Sequence, residues 1–325
     1  MTMPVKCTRA KWKRATAGAL GLALAALSSG GVRANDQIVI AAPFSGDFAP
    51  IGERFRAIAN EVGANAPLTF VDTKCDPEVA PDISLEILSA SPAHVVGLPC
   101  IDVFDALLPV LTGSQIAVTP VGLQAKDVTS HDAVRVQRAA PTARQIANAL
   151  AVFVADTWRD EPIAIIDDGT LSGRQFASTV QTQLTQLTIT PIFRDTYRPL
   201  LENQSSLIRR LERAGATKVI LGGDAFDAAI MAADANRLDV DLTFAGGQTL
   251  LATASDGTLA NGTIVAAAVP LADLFELALK TALDQQPALT FDAQGEPEQD
   301  LTIIYRVTDG RAVPIGPTQA IQREG

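Results

Sequence analysis

Histidine and cysteine are scarce in this 325-residue chain, and their scarcity argues against several kinds of site. There are two histidines, His94 and His131, and three cysteines, without a CxxC pair or a histidine cluster. A metal or redox centre would need such a grouping. The sequence also lacks the GxGxxG, P-loop and GxSxG motifs of nucleotide sites and hydrolase nucleophiles. We therefore expect no enzyme, no catalytic residues, no cofactor and no metal.

Acidic residues are missing from the first 34 positions, which instead carry six of the 26 basic residues. Five of these precede the apolar run ATAGALGLALAAL, and small residues follow at Val32 and Ala34. This order is typical of a secretory signal peptide, with cleavage near Ala34 and export to the periplasm. The alternative, a membrane anchor, would need about 20 apolar residues to span a bilayer.

Positive charge is correspondingly low in the rest of the chain. Residues 35–325 hold 20 basic and 36 acidic side chains, a net charge of about −16. Such a charge repels nucleic acid and anionic lipid, so neither is an expected partner. About 290 residues remain after cleavage, a length that favours two domains over one.

Removal of the signal would also remove Cys7 and leave two cysteines, Cys75 and Cys100. An even pair in an exported protein indicates a disulfide, because oxidising compartments allow the bond to persist.

Short β-rich runs alternate with helix-length segments along the chain. The predicted strands include QIVIAA, LTFVD, HVVG, IAVTP, PIAIID, KVILGG and LTFAGG. Such alternation predicts βαβ units around parallel sheets, and the pattern begins again after residue 137. We predict an α/β fold of two doubly wound parallel-sheet lobes joined by crossover strands. Ligands of such sheets bind beyond the carboxyl ends of the strands.

Several segments, in order from about residue 37 to residue 315, resemble one family. They are APFSGDFAPIG, CDPEVA with VVGLPC, IAIIDDGTLSGRQFA, LIRRLERAGATKVILGG, LTFAGGQTLL and FDAQGEPEQDLTIIYRVTDGRAVPI. The chain is similar here to type I periplasmic binding proteins, in particular the leucine/isoleucine/valine-binding branch that serves ABC transporters. The resemblance implies that fold, the disulfide between Cys75 and Cys100, and a monomer that binds a small molecule and delivers it to a membrane permease.

The resemblance implies a first lobe shorter than in relatives, because one main helix separates GTIVAAAVP from the final hairpin. We expect lobes of residues 35–138 with 266–298 and of residues 139–265 with 299–318, joined by crossovers near residues 137, 266 and 301.

The ligand-binding positions of the family differ in this chain. A serine that follows the second cysteine in relatives is Ile101 here, and the next hydroxyl-rich loop holds Gly122, Leu123 and Gln124. The positions that grip the ligand amine fall on Ser172, Asp224 and Gln248. The resemblance thus implies that the side chains that bind the ligand carboxylate in relatives are lost and that those that bind its amine are altered. Backbone N–H groups of the 121–124 loop remain candidates to bind an anion or a carbonyl.

Each of these residues has an alternative interpretation. Asp224 is equally suited to begin a helix as its N-cap, and Gln248 to be a solvated loop residue. Ile51, Ile101 and Leu123 are candidates for an apolar pocket wall, but such residues more often pack in a core or between lobes. Two functions therefore stay open: a periplasmic receptor for a small polar or amino-acid-like solute, and an accessory or partner-binding protein that no longer serves transport.

Overall fold

The structure is a computed structural model that describes residues 37–111, 114–125, 135–252 and 259–316. The predicted signal peptide and His131 lie outside the described residues. Within those ranges, no helix is both long and apolar enough to cross a membrane.

Strands and helices alternate along the chain, as predicted. The strands are β1 (Ile38–Ala42), β2 (Leu68–Asp72), β3 (His94–Gly97), β4 (Ala117–Pro120), β5 (Arg135–Val136), β6 (Ile163–Asp167), β7 (Phe193–Thr196), β8 (Lys218–Gly222), β9 (Thr243–Gly246), β10 (Ile264–Ala268), β11 (Thr302–Thr308) and β12 (Arg311–Pro314). The helices are α1 (Ala49–Val62), α2 (Ala80–Ala90), α3 (Ile101–Leu111), α4 (Ala143–Thr157), α5 (Leu171–Gln186), α6 (Ser205–Ala214), α7 (Ala225–Arg237) and α8 (Leu271–Ala282).

The first lobe is built on a parallel sheet of order β2-β1-β3-β4-β5. Alternate side chains of β1 enter different cores because successive residues of a strand point to opposite faces. Val39 packs in a core with residues of α2 and α3. Ile38 and Ile40 pack in another core with α1 and α8, where the rings of Phe55 and Phe275 stack with centroids 3.9 Å apart. The sheet is therefore covered on both faces.

The second lobe repeats this plan with the order β12-β11-β10-β9-β8-β6-β7. Strands β7, β6, β8, β9 and β10 are parallel, whereas β11 and β12 add an antiparallel hairpin at one edge. Residues of α4 and α5 pack with Ile163 and Ile165 on one face, and residues of α6 and α7 pack with Ala164 and Ile166 on the other. The predicted fold class, with two doubly wound lobes, is confirmed.

The chain passes between the sheets after β5, after β10 and before β11. Only α8 and the segment 283–301 lie between the last two crossings, and among the described elements α8 packs against α1. The structure places all of β10 in the second sheet. The boundaries at residues 138, 266 and 298 stay a prediction.

Helix α4 begins directly after the first crossing, and its start is fixed by a capping box. The Thr142 hydroxyl accepts a hydrogen bond from the Gln145 backbone N–H at 3.2 Å, and the Gln145 side chain accepts one from the Thr142 N–H at 2.7 Å. These contacts satisfy N–H groups that the helix itself leaves unpaired. They hold the first turn of α4 beside the cavity described next.

Candidate functional site

A cavity of about 410 Å³ lies at the carboxyl ends of three neighbouring strands of the second lobe, β6, β8 and β9. Its walls are the loops that follow these strands, the first turns of α4 and α5, and one side chain of the first lobe. The lining residues are Gln124, Ala143, Ile146, Asp168, Thr170, Ser172, Gly173, Phe176, Gly222, Gly223, Asp224, Gly247, Gln248 and Thr249. This is the edge where doubly wound sheets bind ligands.

Two glycines let α5 start close to the end of β8. A Cβ atom at Gly173 would lie 2.6 Å from the carbonyl oxygen of Gly222, and one at Gly222 would lie 2.3 Å from the carbonyl oxygen of Gly173. Backbone atoms cannot yield to such contacts, so any side chain at either position would push the helix and strand apart. The glycines thereby keep the loops after β6 and β8 side by side.

Asp168 organises the first of these loops. One of its oxygens, Oδ1, accepts hydrogen bonds from the Thr170 backbone N–H at 2.9 Å and the Thr170 hydroxyl at 2.7 Å. Thr170 in turn caps α5 by accepting from the Gly173 N–H at 3.0 Å. The described hydrogen bonds of Asp168 all use Oδ1, which leaves Oδ2 to face other groups. We predicted this loop as part of the site but did not single out Asp168.

Asp224 is the helix N-cap that the sequence offered as its alternative role, and it also lies in the cavity wall. It is the N-cap of α7, where its Oδ1 accepts from the Asp227 backbone N–H at 3.0 Å. It also lines the cavity, half-buried. Because capping uses one carboxylate oxygen, the second oxygen remains for a ligand.

Tyr197 and Asp227 lie behind the cavity wall and were not predicted. A Cβ atom at Gly223 would lie 2.1 Å from the Tyr197 hydroxyl oxygen, so this hydroxyl sits directly behind the glycine. Burial raises the pKa of Tyr197, and the nearby carboxylates of Asp227, Asp168 and Asp224 raise it further. Burial also raises the pKa of Asp227, and Asp224 and Asp168 add to that effect. Acidic side chains therefore lie both in this wall and behind it.

A hydrogen bond between the lobes closes one side of the cavity. The Gln124 side chain, in the loop after β4, donates from Nε2 to Oε1 of Gln248 at 2.8 Å. The same Oε1 accepts from the Ala268 backbone N–H at 3.0 Å, at the end of β10. Gln248 is thus not merely a solvated loop residue, because it connects the first lobe, the second lobe and a crossover.

The buried side chain of Arg138 stabilises the first-lobe loop that carries Gln124. Its side chain is fully buried on the first crossover, donates to both carboxylate oxygens of Glu296, and donates to the carbonyl oxygen of Ala125. Ala125 directly follows Gln124, so the arginine fixes the loop that carries the cavity's first-lobe side chain. The sequence offered no signal for this pairing, because 158 residues separate Arg138 from Glu296.

The structure brings together four of the eight predicted ligand-binding residues, namely Gln124, Ser172, Asp224 and Gln248. The other four do not line this cavity. Leu123 is buried in the core of the first lobe, Ile51 is half-buried against the core beneath α1 and α8, and Ile101 is partly exposed at the start of α3. A Cβ atom at Gly122 would contact Leu271 at 2.5 Å. Ligand contact by any of the eight stays a prediction.

Backbone donors of the 121–124 loop are partly occupied. The Val121 N–H donates to the Gly97 carbonyl at 2.7 Å, and the Gly122 N–H donates to the Ala139 carbonyl at 3.1 Å. These two N–H groups therefore do not point at a ligand.

The predicted disulfide is present between Cys75 and Cys100, whose Cα atoms are 5.5 Å apart. It connects the loop after β2 with the loop between β3 and α3. The bond therefore fixes the loop that precedes α3, at the carboxyl end of β3.

Comparison with solved structures identifies the fold. A substrate-binding protein of an ABC transporter from Desulfitobacterium hafniense, solved in complex with Leu, superposes with a TM-score of 0.65 at 15% identity, covering 86% of this chain and 99% of that one. The chain has the type I periplasmic binding protein fold. No protein-family model matches it.

Proteins with other names share this periplasmic binding protein fold. The C-domain of LpoA from Haemophilus influenzae, a regulator of PBP1A, superposes with a TM-score of 0.57 at 17% identity, covering 86% of this chain and all of that domain. In sequence, the chain is 24% identical over 241 residues to the Leu/Ile/Val-binding protein homolog 3 of Brucella melitensis biotype 1. That match covers 70% of this chain but 66% of the relative, just under two thirds of its length.

Proposed function

We propose that this protein is the periplasmic solute-binding component of an ABC-type transport system. In this proposal the chain is exported, acts as a monomer without a cofactor or a catalytic role, and closes its two lobes on a small polar or amino-acid-like molecule. A membrane permease then recognises the closed form and takes up the solute. The sequence relative named as a Leu/Ile/Val-binding protein homologue supports the assignment.

One observation carries the proposal. The cavity lies at the carboxyl ends of three adjacent second-lobe strands, and Gln124 of the first lobe reaches across to it. A site whose wall comes from both lobes binds more tightly when the lobes approach each other. Ligand binding is thereby coupled to hinge closure, the movement that a receptor of this fold needs.

Binding is tested by a thermal-shift screen of amino acids, amides, polyols and small amines. A solute at about 100 times its Kd adds about 2.7 kcal/mol of stability. This raises the melting temperature by roughly 4 °C in a protein of this size. Asp224→Ala should abolish the shift, whereas Asp160→Ala, an exposed aspartate in the turn before β6, should retain it.

Closure and transport are tested separately. X-ray scattering with a solute from the screen should give a smaller radius of gyration than without it. In proteoliposomes that contain an ABC-type permease and its ATPase, the solute-loaded protein should stimulate ATP hydrolysis by its cognate pair. A solute that binds without compaction and without stimulation would contradict the transport assignment.

The second candidate is a binding-protein-like accessory protein that no longer serves transport. The LpoA C-domain supports it, because that domain has the same fold and is a regulator of another protein. On this alternative, the scattering profile stays unchanged at saturating solute, and a folded protein partner co-purifies with the native chain whether or not solute is present.

A further inference from the structure

The charge of the cavity lining points to one class of solute. Among the lining residues that the structure describes, Asp168 and Asp224 are acidic and none is basic. We propose that the cavity takes an organic cation that lacks a carboxylate, such as a primary amine with a short apolar body. This inference rests on the proposed solute-binding function and specifies its substrate.

Both carboxylates are arranged to receive a cation. Oδ1 of Asp168 accepts hydrogen bonds from the backbone N–H and the hydroxyl of Thr170, and Oδ1 of Asp224 accepts one from the backbone N–H of Asp227. The carboxylates are therefore held in place before a ligand arrives, and the second oxygen of each is left to accept from an ammonium group. A donor held between two fixed acceptors loses little free energy to their reorganisation.

Among the described residues, the arginine of α5 does not line the cavity. Arg174 on α5 is directed away from the cavity to Asp167, 3.9 Å between Nε and Oδ1. Behind the wall, the carboxyl of Asp227 adds to the acidic character of the region, and its pKa is raised by burial and then by its acidic neighbours. A monovalent cation would relieve the repulsion among these groups.

A ligand carboxylate would meet the opposite conditions. The N–H groups of Val121 and Gly122 are occupied by backbone carbonyls, and Nε2 of Gln124 is bonded to Gln248. A negative charge placed among the remaining uncharged donors, such as the Gln248 amide, would also lie beside two aspartates that repel it. An α-amino acid would thus gain at its ammonium group and lose at its carboxylate.

The rest of the lining fits an apolar body. Ile146 and Ala143 of α4 contribute aliphatic surface, and Phe176 of α5 contributes an aromatic ring. A Cβ atom at Gly247 would lie 2.9 Å from the edge of that ring, so the glycine lets the ring pack at the cavity wall. An aromatic face also attracts cations. No metal-binding group of acidic, histidine or cysteine side chains occurs within the described ranges, which favours an organic cation over a metal ion.

Four small molecules that share a branched five-carbon body separate the contributions of an amine, a hydroxyl and a carboxylate to binding. They are isopentylamine, isopentanol, leucine and 4-methylpentanoate, titrated calorimetrically into the exported protein at neutral pH. We expect isopentylamine to bind at least about 10-fold more tightly than leucine, and the carboxylate alone to show no binding. The alcohol should lie between the amine and the acid.

Matched variants test whether Asp168 and Asp224 cause the tighter binding of the amine. Asp168→Asn and Asp224→Asn each keep shape and capping ability, and each should weaken isopentylamine by about 10-fold or more, because hydrogen bonds to charged groups contribute more than neutral ones. The melting temperature of each free variant verifies that it is folded. Asp160→Asn, which also removes one negative charge but far from the cavity, should leave the affinity unchanged.

The outcomes separate this inference from the proposed function. Leucine or 4-methylpentanoate binding more tightly than the amine would overturn the inference and support solute binding. Amine binding that survives both cavity substitutions would overturn it as well. Failure of the amine to bind at millimolar concentration would also overturn it, while the wider screen would still decide the proposed function.

Discussion

Replacing Arg138 by methionine should destabilise the whole protein, because this side chain bonds two segments across the crossover between the lobes. The guanidinium is fully buried and donates to both oxygens of Glu296 and to the carbonyl of Ala125. Methionine has a similar volume but no donor. The substitution therefore removes this donor from the carbonyl of Ala125 and removes a buried positive charge from beside the Glu296 carboxylate.

The magnitude follows from the burial of the two partners. Removing one member of a buried ion pair costs about 3 to 5 kcal/mol. Because the Glu296 side chain is 25% exposed and can turn to water, we expect the lower end of that range, about 3 kcal/mol. In a protein of this size the melting temperature should fall by about 5 °C.

Urea unfolding monitored by circular dichroism measures the loss, with three controls. Arg209→Met removes an exposed cation paired with Glu212 and should cost less than about 1 kcal/mol. Arg138→Lys keeps the charge but cannot reach all three acceptors, so its stability should lie between those of the wild type and Arg138→Met. Glu296→Gln should cost less than Arg138→Met because an acceptor oxygen remains.

An unfolding free energy for Arg138→Met within about 0.5 kcal/mol of that of Arg209→Met would refute the reasoning. It would mean that the crossover is held by apolar packing and that the buried arginine contributes no net stability.

Three further predictions concern the disulfide, the wall behind the cavity and the first lobe. Cys75→Ser should lower the unfolding free energy by about 3 to 4 kcal/mol, because the disulfide closes a loop with a sequence separation of 25. Equal denaturation midpoints for wild type and variant under non-reducing conditions would contradict this prediction. Gly223→Ala should destabilise the protein by about 1 to 3 kcal/mol because its Cβ would lie 2.1 Å from the Tyr197 hydroxyl oxygen, and adding Tyr197→Phe should restore part of the loss in a double-mutant cycle. Burial works to raise the pKa of Asp72, but hydrogen bonds from the Ser45 hydroxyl and backbone N–H groups outweigh it and hold this pKa below the usual 3.8. The stabilising effect of the Asp72 carboxylate is complete above its unfolded-state pKa and is lost as pH falls through its folded-state pKa. The stability difference between wild type and Asp72→Asn should therefore shrink below about pH 4, and a difference independent of pH would contradict the assignment.

Much of the fold could be predicted from the sequence because the signals are local. The apolar strands and the helical faces, such as Leu207, Ile208 and Leu211 on α6, follow from the periodicity of neighbouring residues. The positions of the strand-end loops follow from the strands, and the even cysteine pair predicted the disulfide. Asp224 was singled out because the family resemblance placed it at a ligand-binding position, and its place before a helix also indicated an N-cap.

Only the tertiary structure could decide which of the loop residues meet. The bond between Gln124 and Gln248 joins residues 124 positions apart, and the pair of Arg138 and Glu296 joins residues 158 apart. No local pattern carries such pairings, because they depend on how the two lobes are placed by the crossovers. For the same reason Leu123 was expected to have two possible roles, and only the packing of the first lobe shows that it is buried in a core. The sequence thus determined the strands, the helices and the loops at their ends, while the tertiary structure decided which side chains of those loops share a cavity and what charge that cavity has.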